Sequence, residues 1–271
     1  MSAQHFFDFA AQAGITKHLG GLEATDELIQ KCQITKGTKI LDVGCGVGQT
    51  ATYIASKIGA NVTGIDINPN MIQRSKERAK KEGVTNLTTF KEADAQELPF
   101  PDNTYDAVIT ESVTAFPHDK QKAVNEYARV TKPGGYIGLN ESTWLKTPPP
   151  NEIVQWVSQE VGATVKPLTR EEWIRLLENA DLIIMSERTS EIEIKKETKG
   201  IINRYGYKGI FMSLIRALKM YISNSSYRKL VTKVQKQGIT PENIQEYFGY
   251  GIYIAQKPKT NSRLIKLDEQ I

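Results

Sequence analysis

The sequence predicts an α/β protein with a doubly wound, mainly parallel sheet, and three observations carry that expectation. Short apolar runs rich in β-branched residues alternate with helical stretches between residues 39 and 140. Right-handed strand–helix–strand units, with helices of about 10–15 residues, have that rhythm. A loop with three glycines follows the first run, and the first two runs each carry an aspartate at their carboxyl end.

Taken in order, residues 1–36 read as helical, with a glycine break at Gly20-Gly21 and a second helix from Ala24 to Cys32. Lys39-Ile-Leu-Asp-Val43 is bounded by glycines and reads as a buried strand. Gln49 to Ile58 is helical, and Asn61 to Asp66 forms the second strand. Pro69 suits the first position of the next helix, Asn70 to Glu82, with Asn68 as its N-cap. Leu87–Glu92 and Tyr105–Thr110 are the third and fourth strands, Lys120–Val130 a helix and Tyr136–Asn140 the fifth strand. Beyond Trp144 the pattern loosens, and Pro148-Pro149-Pro150 excludes regular structure locally. Thr169-Arg-Glu-Glu172 has the form of a capping box opening a helix to Ala180. Leu182–Ile194 and Gly251–Ala255 read as strands, and the residues from about 257 as a frayed tail.

Composition narrows the function classes. At 271 residues with 39% hydrophobic and 24% charged residues, the chain has the make-up of a soluble globular protein. No apolar run approaches the roughly 18 residues of a membrane span, and the N-terminus lacks a basic, apolar leader, so a cytoplasmic protein is expected. Two cysteines, Cys32 and Cys45, suit a reducing compartment. Three dispersed histidines give no metal signature, and no metal is expected. The net charge of +4 hides an asymmetry. Eleven of the residues in 195–236 are Lys or Arg and one, Glu197, is acidic, so this segment is +10 and the remainder −6. A basic block on an acidic body points to a local partner surface.

The loop is Leu41-Asp-Val-Gly-Cys-Gly-Val-Gly48. Glycines let backbone approach a ligand at the carboxyl edge of such a sheet, where these folds bind ligands. Asp66, 24 residues after Asp42, suits a ribose diol because one carboxylate can accept two hydroxyl hydrogen bonds. A dinucleotide fingerprint beginning at Gly44 would need glycine where Gln49 stands. Asp42 would also repel a pyrophosphate while suiting an ammonium group. A nicotinamide dinucleotide is therefore the weaker reading.

Four segments, ILDVGCGVGQT, GIDINPNM, KEADAQELPFPDNTYDAVIT and RVTKPGGY, occur in this order between residues 40 and 136. In that order they resemble the motif series of class I S-adenosylmethionine-dependent methyltransferases, with the closest look to the ubiquinone/menaquinone methyltransferase group. The resemblance covers about residues 18–142 and implies seven strands in the order 3-2-1-4-5-7-6, the seventh antiparallel. It implies an N-terminal helical cap (1–36), a cofactor-binding domain (37–194 and 250–257), a basic helical insertion between strands six and seven (195–249) and a tail (258–271). It also implies roles for individual residues. Asp42, Gly44, Cys45, Gly46 and Gly48 would line the methionine end of S-adenosyl-L-methionine, and Asp66 would hold the ribose. Ile67 and Met71 would face the adenine, Asp94 and the Ala95 backbone would meet its polar edge, and Glu111 would border the transfer site. His18 is expected over the cofactor as a lid residue, and Gly21 is expected among the cofactor-binding residues. Plainer readings stand beside these: Asp94 and Glu111 as loop carboxylates, Met71 as helix core, His18 as a surface cap, and Cys45 as packing, since nothing near it activates a thiol.

Methyl transfer from a sulfonium demands alignment and dry surroundings more than acid–base help. Glu111 and His118 are the candidate catalytic side chains, His118 as a base or simply as a solvated loop residue. The insertion carries Tyr205, Tyr207, Phe211, Tyr221 and Tyr227 among its cations. Gly209–Ser223 reads as an amphipathic helix, either a lid over the site or a peripheral membrane contact through 195–236. The expected acceptor is a small apolar or anionic metabolite, with an isoprenoid or quinone-like lipid in view. RNA or protein methylation, or binding of the nucleoside without catalysis, remain alternatives. No RNA-binding motif accompanies the basic residues, so nucleic acid is not the expected partner. Arsenite methylation would need more thiols than two.

Overall fold

The computed structural model describes residues 3–16, 18–160, 165–236 and 240–259. Most of the expected tail, residues 260–271, lies outside them. In chain order the elements are α1 (Ala3–Ala13), α2 (Gly21–Lys31), β1 (Lys39–Val43), α3 (Gln49–Ile58), β2 (Asn61–Asp66), α4 (Pro69–Glu82), β3 (Thr88–Glu92), β4 (Tyr105–Glu111) and α5 (Lys120–Val130). Then come β5 (Thr131–Trp144), α6 (Asn151–Glu160), the two-residue β6 (Leu168–Thr169), α7 (Arg170–Glu178), β7 (Ile183–Glu191), α8 (Ile194–Ser223), α9 (Ser225–Lys236), α10 (Ile244–Tyr247) and β8 (Phe248–Gln256).

The strands lie in the order β3-β2-β1-β4-β5-β8-β7, with β6 paired beside the end of β5. Pairings from β3 through β5 are parallel, and β8 runs antiparallel to both β5 and β7. This is the sheet expected from the motif order, with the short β6 added. Alternation along each strand builds two cores. Ile40, Ala107, Ile109, Ile252 and Ile254 face one layer with Leu28 and Ile54. Leu41, Val43, Val108, Tyr253 and Ala255 face the other with Tyr127, Trp173 and Leu177. Burial on both faces is why these strands read as continuous apolar runs.

Local signals set the helix ends. The Asn68 side chain accepts from the Asn70 and Met71 amides at 2.8 and 3.3 Å, and Pro69 occupies the first turn. The capping box at Thr169 and Glu172 is closed in both directions, at 3.2 and 2.7 Å.

Three features depart from the expected pattern. First, α2 is a helix of the sheet layer, since Leu28, Ile29 and Cys32 are part of the core beneath it. Second, β5 runs on to Trp144 through Asn140, Glu141, Ser142 and Thr143, all buried. These polar residues hide the strand's extension in the sequence, and the structure pairs them in part, leaving Asn140 Oδ1, Glu141 Oε2 and Ser142 Oγ without a partner among the described residues. Trp173 Nε1 donates to the Ser142 carbonyl at 3.1 Å, and the Thr143 and Tyr253 hydroxyls pair at 3.0 Å. Third, helix α8 starts at Ile194 and is broken within by Gly206, at φ 64° and ψ 165°.

The contact of α2 with β5 leaves no room at Gly138. A β-carbon there would stand 2.7 Å from Cys32 Sγ and 2.9 Å from Leu28 Cδ2. Gly138→Ala is therefore expected to destabilise the protein by about 1–3 kcal/mol, read as a lower midpoint of urea unfolding with an unchanged slope.

Candidate functional site

The carboxyl ends of β1, β2 and β4 converge on a cavity of about 370 Å³, the position at which parallel sheets of this kind bind ligands. The loop after β1 forms one wall. Gly44 and Gly46 take left-handed φ values of 68° and 53°. A β-carbon on Gly44 would lie 2.3 Å from a Val113 methyl, so only glycine fits between the two loops. The Gly46 amide donates to Asp66 Oδ2 at 3.0 Å and the Cys45 amide to the Ile65 carbonyl at 2.8 Å, which ties the loop to β2.

Asp66 also accepts from the Asn68 amide on its other oxygen, at 2.9 Å. Burial raises its pKa, opposed by these two amides. Asp42 is buried deeper, at the end of β1, and its Oδ2 has no hydrogen-bond partner among the described residues. Burial first, then the nearby Glu111 and Asp66, push its carboxyl well above the usual range, against a pull from Arg204. Cys45 lines the cavity, but burial and then the charges of Asp42 and Asp66 raise its thiol.

Ile67 and Met71 line the next part of the wall, Met71 as part of the buried core and Ile67 largely exposed. Asp94 and Ala95 follow, with Asp94 Oδ1 accepting from the Gln96 amide at 2.8 Å. Phe7 of α1 meets Phe116 of the loop after β4 edge to face, ring centres 5.4 Å apart, and both line the cavity. His118 lines it too, exposed to solvent.

Glu111, at the end of β4, is buried and already engaged. Its Oε1 accepts from Thr25 Oγ1 at 2.8 Å and its Oε2 from Thr50 Oγ1 at 2.6 Å. His18 Nδ1 stands 3.3 Å from Oε1. Burial alone would raise the Glu111 pKa; His18, Arg204 and the two hydroxyls outweigh it and hold the carboxyl below its ordinary value. His18, also buried, faces the cavity, and Asn140 Nδ2 lies 3.3 Å from its ring.

Two glycines of the expected set stand apart from the cavity lining. Gly48 caps α3, and a β-carbon on it would meet the Ser75 Cα at 2.9 Å, so it serves the contact of α3 with α4. Gly21 opens α2 beside Gly200 of α8, where a β-carbon would be 3.6 Å from the Gly200 Cα.

Sequence reasoning missed one cation. Arg204 of α8 reaches into the cavity with its side chain only 6% exposed. Its Nη2 donates to Thr50 Oγ1 at 2.8 Å and lies 3.9 Å from Glu111 Oε2, while Nε has no partner among the described residues. Gln49 Nε2 donates to the Arg204 carbonyl at 3.0 Å, fastening α8 to the glycine loop. Arg204 is one basic residue among eleven in its segment, and nothing in the order of residues sets it apart.

Residues 41–139 match the family described as "Methyltransferase domain". An uncharacterized protein of Haemophilus influenzae is 29% identical over 215 residues, which cover 78% of this chain and 85% of that protein. Sterol 24-C-methyltransferase ERG6B of Gibberella zeae is 42% identical over 114 residues, covering 42% of this chain and 30% of the enzyme. The chain thus spans about a third of that relative's length. Among solved structures, the [4+2]-cyclase SpnF superposes with a TM-score of 0.73 at 19% identity, over 96% of this chain and 97% of that one. A S-adenosylmethionine-dependent methyltransferase of Geobacter sulfurreducens, bound to S-adenosyl-L-homocysteine, gives 0.67 at 19% identity over 92% and 96%. The two superpositions establish the shared fold. Because the family match starts on β1 beside Asp42 and ends within β5, it encloses the strand ends that frame the cavity, and this segment of the chain is similar to the methyltransferase domain family.

Proposed function

We propose that this protein transfers a methyl group from S-adenosylmethionine to a small apolar or anionic acceptor bound in the same cavity. The observation that carries this reading is the Asp42 carboxylate, buried at the cavity wall with an unpartnered oxygen. A buried charge without a partner is costly, and a cationic ligand removes that cost. The glycine loop beside it leaves room for the amino-acid end of such a ligand.

The residues present fit the rest of the cofactor. Asp66 keeps acceptor capacity for ribose hydroxyls after taking two amides, since an ionised carboxylate accepts about four hydrogen bonds. Ile67 and Met71 would hold the adenine, with Asp94 and the Ala95 backbone at its polar edge, and Gly44, Cys45 and Gly46 would border the methionine end. Arg204 offers a guanidinium to an anionic group of cofactor or acceptor. When bound, the cofactor supplies an electrophilic methyl on a sulfonium.

Transfer then needs alignment and exclusion of water. The Phe7–Phe116 contact closes one side of the cavity with apolar surface. With both oxygens engaged, Glu111 acts as a positioning residue that holds His18 and Arg204 in place. His118, exposed on the cavity lining, is the side chain placed to take a proton from an oxygen or nitrogen acceptor. The apolar lining from Phe7, Val113, Phe116 and Pro117 supports an isoprenoid- or quinone-like acceptor. The kinship with a sterol methyltransferase favours the same class. The 1–36 cap and 195–249 insertion are read as the parts that shape the acceptor side.

Formation of S-adenosylhomocysteine from S-adenosylmethionine tests this directly. Turnover is expected with a lipid extract and not with RNA or a protein mixture; turnover confined to RNA or protein would replace the small-molecule reading, and none at all would leave a nucleoside-binding protein. Asp66→Ala is expected to weaken cofactor binding by about 1–3 kcal/mol in calorimetry. Asp42 makes an opposite pair of predictions. Its folded-state pKa is raised, so ionisation costs stability at neutral pH, and that cost vanishes as pH falls and the carboxyl takes up its proton. A cationic ligand needs the ionised form, so affinity should fall as pH is lowered. Asp42→Asn should therefore raise the melting temperature of the free protein, weaken cofactor binding and flatten its pH dependence.

A further inference from the structure

Gly206 divides α8 into two parts with different surroundings. Immediately before it, Arg204 enters the cavity, and Tyr205 Oη accepts from the Thr16 amide at 2.9 Å and donates to its carbonyl at 2.8 Å. Beyond it, Tyr207, Phe211, Leu214, Leu218 and Ile222 recur at spacings of three and four and form one stripe along the helix. Each of the five is 60–80% exposed.

The expected amphipathic helix is therefore present, but its apolar side faces outward. The inward side is held by other groups. Ser213 and Met220 are buried, and Met220 packs with Phe9 and Leu230. Arg216 Nη1 donates to the Ala13 carbonyl at 3.1 Å. Rolling the stripe inward would break these contacts. A soluble protein rarely leaves so long an apolar stripe in water, and such stripes mark interaction sites.

Charge identifies the partner. Exposed Lys208 and Lys219 border the stripe, and exposed Lys229 follows on α9. The whole of 195–236 carries eleven cations against Glu197. Two copies of this chain pressed together here would repel each other, whereas an anionic lipid surface meets both the apolar stripe and its cationic border. No helix among the described residues is long and apolar enough to cross a membrane, so this one would lie along the surface.

We infer that the outer part of α8, from Tyr207 to Ile222, docks the protein on an anionic bilayer. The docking stands on surface chemistry alone; that it delivers a lipid acceptor to the cavity, through the short connection at Gly206, rests on the methyl-transfer reading.

Flotation with phosphatidylcholine vesicles, with and without phosphatidylglycerol, tests it on the full chain. Binding is expected to the phosphatidylglycerol vesicles at low salt, with loss at high salt. Leu214→Glu with Leu218→Glu should abolish it, and Lys208→Gln with Lys219→Gln should weaken it roughly tenfold. Circular dichroism and calorimetry with S-adenosylmethionine on the same samples check that folding and the cavity are intact, so failure to dock and failure to bind cofactor are read separately. The inference is overturned if the wild type does not float with anionic vesicles, or if the Leu214→Glu, Leu218→Glu variant floats as well as the wild type. A dimer in sedimentation that this variant dissolves, without vesicle binding, would assign the stripe to a second copy and overturn it equally.

Discussion

Three carboxylates, Asp42, Asp66 and Glu111, meet in one poorly solvated cavity because parallel strands bring their carboxyl ends to one edge. Like charges in such a place raise one another's pKa and cannot all ionise without compensation. The protein compensates each differently. Two backbone amides hold Asp66, and in doing so fix the glycine loop and the start of α4. Hydroxyls of Thr25 and Thr50, with His18 and Arg204 beyond them, hold Glu111. Asp42 alone retains an oxygen without a hydrogen-bond partner among the described residues. In the proposed function, a cationic ligand relieves that cost at Asp42.

The compensating groups come from far apart in the chain. His18 and Thr25 arrive on the N-terminal segment and α2, Thr50 on α3 and Arg204 on α8. A fourth acid, the buried Glu141, organises the loop on the opposite side. Its Oε1 accepts from the Thr114 and Val113 amides at 2.7 and 3.1 Å and from Thr110 Oγ1 at 2.8 Å. That places Val113 against Gly44, so the position of the glycine loop depends on a strand two places away in the sheet. Changes in any one of these elements propagate to the cavity through hydrogen bonds to charge, which are stronger than neutral ones.

Helix α8 joins two chemistries in one element. On one side of Gly206 it closes the cavity with a buried guanidinium; on the other it turns an apolar stripe to the outside. The hydroxyl of Tyr205 holds the joint to Thr16, so the helix cannot swing freely between these roles. The basic character of the segment serves both ends. One cation is consumed inside, while lysines remain on the surface.

The order and type of the elements through β5 were legible in the residues, because local rules decide them: two-sided burial makes apolar runs, Asn68 and Thr169 cap helices, and glycine is needed where loop 44–48 turns. The same rules exposed Asp42 and Asp66, which sit at strand ends by sequence alone. What local rules could not reach is pairing across distance. Glu141 to Thr143 interrupt the apolar run that marks β5, and the strand's extension shows only when Glu141 meets the 112–114 loop and Thr143 meets Tyr253. Arg204 looks like one cation in a basic tract until α8 lies over the glycine loop. The outward stripe of α8 has the periodicity of a core helix, and only the packing of Arg216 and Met220 decides which side faces in. Spacing determines what a segment can become; which of its faces finds a partner is settled when residues far apart in the chain meet.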